Sequence, residues 1–148
     1  MSTRSCIAAL CDDGKIRAIN CHYDGYPDGG GVGGVLERSF NDQYKIEDLL
    51  KLGALSCLHH SIDCPPGHSY ATPVESYTVA YHRDRGEDLE VGEEYDFEER
   101  DPKDVLRKLR ETGDWQYVDF LYYWNGTKWY YICNYDCEHT NLPGKGTN

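Results

Sequence analysis

The pattern of apolar and polar positions predicts a β-hairpin towards each end of the chain. Near the start, the apolar stretches 4–10 and 15–22 flank Asp12-Asp13-Gly14, and an Asp-Gly pair suits the positive φ angles of a tight turn. Towards the end, residues 117–135 are rich in aromatic and β-branched side chains on both sides of Asn125-Gly126-Thr127. Both segments are therefore predicted to form antiparallel strand pairs.

Three helices are predicted between the hairpins, from apolar residues that recur three and four positions apart. Asn41 or Asp42 can cap the second helix, and Asp101-Pro102 combines a capping side chain with a proline at the first helical position. The predicted helices cover 32–40, the stretch from Asn41 or Asp42 to Leu52, and the stretch from Asp101-Pro102 to Gly113.

One more strand is predicted at 76–83, where aromatic and β-branched residues alternate with others. No internal repeat or long linker separates two folding units. We therefore predict a single α+β domain over residues 1–148, with an antiparallel sheet of about five strands and about three helices. Residues 87–101, which are dominated by Asp and Glu, are expected to be solvated, and residues 140–148 to be frayed.

Acidic residues dominate the charge of the chain. Its 148 residues include 26 Asp and Glu against 15 Lys and Arg, which gives a formal net charge of −11. Phosphate backbones and anionic lipids repel such a polyanion, so direct binding of nucleic acid or a membrane surface is disfavoured. No apolar run reaches signal-peptide length at the start or the roughly 20 residues of a membrane span elsewhere. We therefore expect a cytoplasmic protein.

The same negative charge suits a basic protein partner, especially one that normally holds nucleic acid, although solubility alone also explains an acidic composition. The candidate contact surface lies in the acidic run, and the alternative is that this run is a solvated loop without a partner. The candidate residues are Glu87, Asp88, Glu90, Glu93, Glu94, Asp96, Glu98 and Glu99.

Cysteine and histidine residues cluster in two parts of the chain. In a reducing cytosol, the seven cysteines indicate metal binding more than disulfides. Thiolate and imidazole together select Zn²⁺, and four donors make a closed structural site, which argues against an enzyme. The second cluster either completes the first site or forms its own, and buried apolar cysteines with surface histidines are the alternative. The candidate ligands are Cys57, His59, His60, Cys64, His68, Cys133, Cys137 and His139.

Two parts of the sequence resemble a family of small bacteriophage and prophage proteins with little assigned function. The first part combines Ser2-Thr3-Arg4-Ser5 with Cys21-His22-Tyr23-Asp24-Gly25-Tyr26-Pro27, and the second is Tyr81-His82-Arg83-Asp84-Arg85-Gly86-Glu87. The resemblance extends over roughly the first 90 residues. The family is expected to have a plainer turn in place of the Cys/His-rich loop from Cys57 to His68, which implies that zinc is particular to this branch.

In size, charge and expected zinc binding, the chain is also similar to anti-CRISPR proteins that inhibit the type II RNA-guided nuclease. This similarity implies a counter-defence protein in the cytoplasm of the host bacterial cell. Such a nuclease has positively charged channels for guide RNA and target DNA, and an acidic surface can obstruct one of them. The implied partner is this nuclease or another host defence protein.

Two other functions remain open on the sequence alone. A nucleotide sponge that sequesters a cyclic signalling molecule needs a pocket with arginine and aromatic side chains, and Arg83, Arg85 and Tyr81 could line one. A minor zinc enzyme acting on nucleotides needs an open coordination position. A nucleophile–base pair at Cys21-His22 is disfavoured because strand neighbours point to opposite faces.

Overall fold

Eight β-strands in the described part of the chain form one mixed sheet that has helices on both faces. The computed structural model describes residues 2–135 and the backbone of 139–141. The strands are β1 (Ser5–Leu10), β2 (Ile16–Cys21), β3 (Leu55–Cys57), β4 (Val79–Ala80), β5 (Glu93–Tyr95), β6 (Phe120–Trp124), β7 (Trp129–Cys133) and β8 (His139–Asn141). The helices are α1 (Val32–Ser39), α2 (Gln43–Lys51), α3 (Tyr81–Arg85) and α4 (Pro102–Glu111).

The sheet contains two parallel strand pairs. Its order is β4-β3-β2-β1-β6-β7-β8, and β5 also pairs with β2. β1 runs parallel to β6, with Ser5 opposite Phe120, and β2 runs parallel to β3, with Cys21 opposite Leu55. The α+β class and the single domain agree with the prediction, whereas an antiparallel sheet of five strands with three helices is wrong. Turn residues reveal local hairpins, but no local signal shows which distant strands pair.

Both faces of the sheet are buried. On β1, Ile7 and Ala9 pack into the core that contains α1 and α2, while Cys6 and Ala8 pack into the core that contains α4. Because successive side chains of a strand point to opposite faces, a strand covered on both sides is apolar throughout. Burial of apolar surface therefore holds α4 on one face and α1 with α2 on the other.

Two helices begin at the capping side chains that the sequence predicts. Asp42 accepts a hydrogen bond from the Lys45 amide at 3.0 Å, and Asp101 accepts one from the Lys103 amide at 3.0 Å. Helix α4 has 10 residues and is the longest in the described ranges. No described helix is both long and apolar enough to cross a membrane.

The predicted strand at 76–83 is wrong for most of its length. Only Val79–Ala80 is a strand, and helix α3 begins at Tyr81. The carboxylate of Asp84 reaches back one helical turn and accepts a hydrogen bond from the Ala80 amide at 2.8 Å. Gly86 then ends the helix with a φ of 82°. This local hydrogen bond favours the turn over the extended conformation that the aromatic and β-branched residues prefer.

The acidic segment, residues 87–101, is partly ordered on the sheet and is not solely a solvated loop. Its strand β5 pairs with β2, which places Glu94 opposite Arg17. At the end of the chain, Thr140 and Asn141 belong to β8 and so differ from the predicted frayed tail. Residues 142–148 lie outside the described ranges.

Candidate functional site

The first part of the acidic segment, residues 87–92, crosses the domain as a strap. The Ala54 amide donates a hydrogen bond to the Glu90 carbonyl at 3.2 Å. Gly92 lies so close to β2 that an added Cβ would stand 2.0 Å from the carbonyl oxygen of Ala18. The strap is therefore fixed by its backbone, which leaves its side chains free to face outwards.

The carboxylates of the acidic segment divide into paired and free groups. Glu87 forms an ion pair with Arg85, and Glu99 forms one with Lys108. Glu94 pairs with both Lys15 and Arg17. Asp101 caps helix α4. The other five are exposed and have no basic nitrogen within 4.0 Å among residues 2–135, namely Asp88, Glu90, Glu93, Asp96 and Glu98. Because no nearby cation neutralises them, these five carboxylates give the segment a strongly negative potential.

Apolar side chains are interleaved with the free carboxylates of the strap. Leu89 is 45% exposed and Val91 is 73% exposed. Val91 lines a cavity of about 380 Å³ that also includes Ile19 and Leu50. The strap thus presents exposed carboxylates beside two exposed apolar side chains, which a partner could bury.

His68 is a buried structural histidine. The Val74 amide donates to its Nδ1 at 2.9 Å, so Nε2 carries the ring proton. Nε2 lies 3.1 Å from the Thr78 carbonyl oxygen and 3.4 Å from Oδ2 of Asp84. Both ring nitrogens are therefore occupied by hydrogen bonds, and neither is free to bind zinc in this arrangement.

Arg83 and Asp84 form an ion pair beneath the same loop. Arg83 donates to both carboxylate oxygens of Asp84, at 2.8 and 3.0 Å, and the Cys64 thiol donates to Oδ1 at 3.7 Å. Burial raises the pKa of Asp84, but the hydrogen bonds from Arg83 and the Ala80 amide outweigh it, and the pKa lies below its ordinary value. The guanidinium would repel a metal ion at this carboxylate. Arg83 also donates to the carbonyls of Ile62 and Thr78.

The other candidate ligands of the loop do not converge on one point. Cys57 is half-buried at the end of β3, where burial raises the pKa of its thiol. His59 and His60 are exposed, and Nδ1 of His60 lies 2.8 Å from the Ser39 hydroxyl. Burial, and then the neighbouring His60, lower the pKa of His59. Within the described ranges, no group of three or more His, Cys, Asp or Glu side chains can hold a metal ion.

The second Cys/His cluster is described only in part. Cys133 is half-buried at the end of β7, and Cys137 and the side chain of His139 lie outside the described residues. The six cysteines described all have free thiols. Zinc binding at the second cluster stays a prediction, whereas the hydrogen bonds of His68 do not support it at the first.

Residues from two distant parts of the sequence, near Arg4 and His22 and at Tyr81, meet in space. Nη2 of Arg4 lies 3.4 Å from Nε2 of His22, and Nδ1 of His22 lies 3.0 Å from the Tyr81 hydroxyl. Because arginine only donates, Nε2 accepts and the proton lies on Nδ1. Burial, and then the charge of Arg4, lower the pKa of His22, which keeps the imidazole neutral at pH 7.

Sequence reasoning did not identify Arg4, His22, Tyr23 and Tyr70 as one group. The sequence did single out three of these residues, because Arg4, His22 and Tyr23 lie in the motifs 2–5 and 21–27 that were compared with phage proteins. Their contact depends on β2 lying beside β3, with α3 behind β3, and local patterns do not predict this arrangement.

Comparisons with known proteins do not assign the chain to a family. No family model, curated protein or solved structure matches it. The function is therefore inferred from the side chains described above.

Proposed function

We propose that this protein is a non-enzymatic, phage-encoded counter-defence protein that binds the type II RNA-guided nuclease and blocks its binding of target DNA. The observation that carries the proposal is the strap, on which free carboxylates alternate with exposed apolar side chains. Asp88 and Glu90 are exposed without a basic partner in the described ranges, and Leu89 and Val91 lie between and beside them. The charge of this surface supports the choice of a partner with a positively charged channel.

Charge gives this surface its preference for a channel that normally holds nucleic acid. Each free carboxylate is unpaired within the described residues, so a basic partner supplies the cations that the chain itself lacks. The net charge of −11 also accelerates encounter with a positively charged channel. We expect association to slow steeply as salt concentration rises.

The apolar residues give the same surface a means of staying bound. Val91 is 73% exposed and stands at the rim of the cavity beside Leu50. Burial of two such side chains contributes roughly 1.5–3 kcal/mol each when it is complete. Because the strap backbone is already fixed at Glu90 and Gly92, binding should cost little conformational entropy of the backbone.

The test measures target-DNA binding by a purified nuclease–guide complex in the presence of this protein. The strap variant combines Asp88→Asn and Glu90→Gln in the strap with Glu93→Gln, the free carboxylate that directly follows it on β5, and changes the net charge from −11 to −8. A matched variant combines Asp12→Asn, Glu75→Gln and Glu111→Gln, which are also exposed and without ion pairs among the described residues. It has the same total charge.

We expect the wild type to abolish DNA binding near equimolar protein, and the strap variant to require at least tenfold more protein. The matched variant should inhibit like the wild type. If both variants inhibited DNA binding equally weakly, the total charge of the protein and not the strap would cause the inhibition. Unimpaired DNA binding with the wild type would overturn the choice of this nuclease as the partner.

A further inference from the structure

A second surface, which adjoins the strap at the ion pair of Arg85 with Glu87, combines aromatic rings with arginine side chains. We propose that this aromatic–arginine surface binds a small nucleotide, with the base stacked on Tyr23 and the phosphate contacted by Arg4 and Arg85. The surface is formed by Arg4, His22, Tyr23, Tyr70, Tyr81 and Arg85.

Tyr23 is held in position to stack against a planar ligand. Its ring lies parallel to the His22 imidazole, with centroids 4.2 Å apart and an interplanar angle of 3°. The amides of His22 and Tyr23 donate to the carbonyls of Leu55 and Ser56, both at 3.0 Å, which fixes the backbone of the pair. Tyr23 is nevertheless 41% exposed. Its exposure leaves part of the ring available for a base to stack on.

Arg4 provides a cation that no described carboxylate neutralises. In a chain with 26 acidic residues, its guanidinium has no Asp or Glu oxygen within 4.0 Å among residues 2–135. It donates instead to the neutral His22 ring, a single acceptor at 3.4 Å. A guanidinium has five N–H donors, so several remain for a phosphate.

Tyr81 connects Arg4 and His22 to a second cation. The Tyr81 ring centroid lies 5.9 Å from that of Tyr70, and the Arg85 guanidinium lies 4.4 Å from the Tyr70 ring centroid. Arg85 pairs with Glu87 at 3.1 Å, but both side chains are about half exposed, so this ion pair is weak. A phosphate group can therefore compete with Glu87 for Arg85.

The overall charge of the chain decides between a small nucleotide and a polynucleotide. A net charge of −11 repels a polymer that carries one phosphate per nucleotide. A mononucleotide or dinucleotide carries few charges and needs only the local cations and one or two stacking faces. The surface offers two arginines and three tyrosines, which matches the smaller ligand.

The test is calorimetric titration of the full chain with ADP, GDP, cyclic di-AMP, adenosine and inorganic phosphate. Tyr23→Ala removes the exposed stacking ring, and Tyr44→Ala removes a ring that is 74% exposed on α2 and serves as the control. Arg4→Gln removes the unpaired cation. Thermal unfolding of each variant verifies that it is folded, and two-dimensional NMR of the wild type reports on Tyr23 directly.

We expect at least one of the three nucleotides to bind with a dissociation constant below about 1 mM. Tyr23→Ala should weaken that binding at least fivefold and Tyr44→Ala should not change it. Arg4→Gln should weaken binding of the nucleotide at least fivefold, and binding of adenosine, which has no phosphate, less than twofold. If none of the three nucleotides bound saturably, the proposal would be overturned. Equal nucleotide affinity of Tyr23→Ala and Tyr44→Ala would also overturn it. So would binding of inorganic phosphate as tight as that of the nucleotides.

A single-stranded oligonucleotide that binds more tightly than every mononucleotide and dinucleotide would overturn the choice of a small ligand. The experiment contains no nuclease, so its result does not depend on the function proposed for the strap. Conversely, Tyr23→Ala should inhibit the nuclease like the wild type if the strap alone binds that partner.

Discussion

Nε2 of His68 lies 3.4 Å from Oδ2 of Asp84, and both side chains are completely buried. The histidine anchors the loop through the Val74 amide and the Thr78 carbonyl, while Asp84 holds Arg83 and the Ala80 amide. Asp84 is thus the point where the Cys/His-rich loop, strand β4 and helix α3 are joined.

Replacement of Asp84 should destabilise the fold substantially. Asp84→Asn leaves the charge of Arg83 without its carboxylate partner, and we expect the free energy of unfolding to fall by about 2–4 kcal/mol. Urea denaturation measures this change. Glu87→Gln is the control. Both side chains of the Glu87–Arg85 ion pair are about half exposed, so the pair should contribute less than about 0.5 kcal/mol to the free energy of unfolding. Equal stability of the two variants would contradict this role for Asp84.

Acid should destabilise the wild type through the same carboxylate. The folded-state pKa of Asp84 lies below its ordinary value of 3.8, because the bonds from Arg83 and Ala80 outweigh the effect of burial. The stabilisation is therefore present above the unfolded pKa and is lost as pH falls through the folded pKa. Denaturation at several pH values from about 5 to about 2 should show a shallower loss of stability for Asp84→Asn than for the wild type.

Removal of Cys64 tests whether zinc holds the loop. The Cys64 thiol makes only weak bonds, at 3.7 Å to Asp84 and 4.0 Å to the His68 carbonyl, and a hydroxyl can replace them. We expect Cys64→Ser to change the free energy of unfolding by less than about 0.5 kcal/mol. EDTA should shift the melting temperature of Cys64→Ser and of the wild type equally, because neither result should depend on a metal at Cys64. A large fall in melting temperature of Cys64→Ser without EDTA would instead indicate a structural zinc in this loop, whereas an equal fall in both proteins with EDTA would indicate zinc at the second cluster.

The contact between Gly92 and β2 should not tolerate a methyl group. An added Cβ would lie 2.0 Å from the Ala18 carbonyl oxygen, so Gly92→Ala must displace the strap or β5. We expect a loss of about 1–3 kcal/mol and faster amide hydrogen exchange where β5 pairs with β2. Gly30→Ala is the matched control, because an added Cβ there has no heavy atom within 4 Å. Unchanged exchange in Gly92→Ala would show that the strap is not seated on β2.

Local sequence determined the elements whose physical causes are themselves local. An Asp-Gly turn, a capping aspartate and an apolar stripe each act over a few residues, so both hairpins and helices α2 and α4 could be predicted. The exposed, acidic character of 87–99 was also evident, because adjacent carboxylates are difficult to bury. The sequence therefore indicated a charged surface, though not which carboxylates would be free.

Tertiary structure decided the features that depend on distant partners. β1 pairs in parallel with β6 from the far part of the chain, and residues of both strands are buried in two cores on opposite faces of the sheet. Neither the partner nor its direction follows from the residues next to each strand. The sequence around His68 predicted a zinc ligand. In the structure its Nδ1 accepts a hydrogen bond from the Val74 amide and its Nε2 donates one to the Thr78 carbonyl. Residue type gives the chemistry that a side chain can perform. Folding decides which partner it has, because a buried polar atom without a hydrogen bond costs free energy.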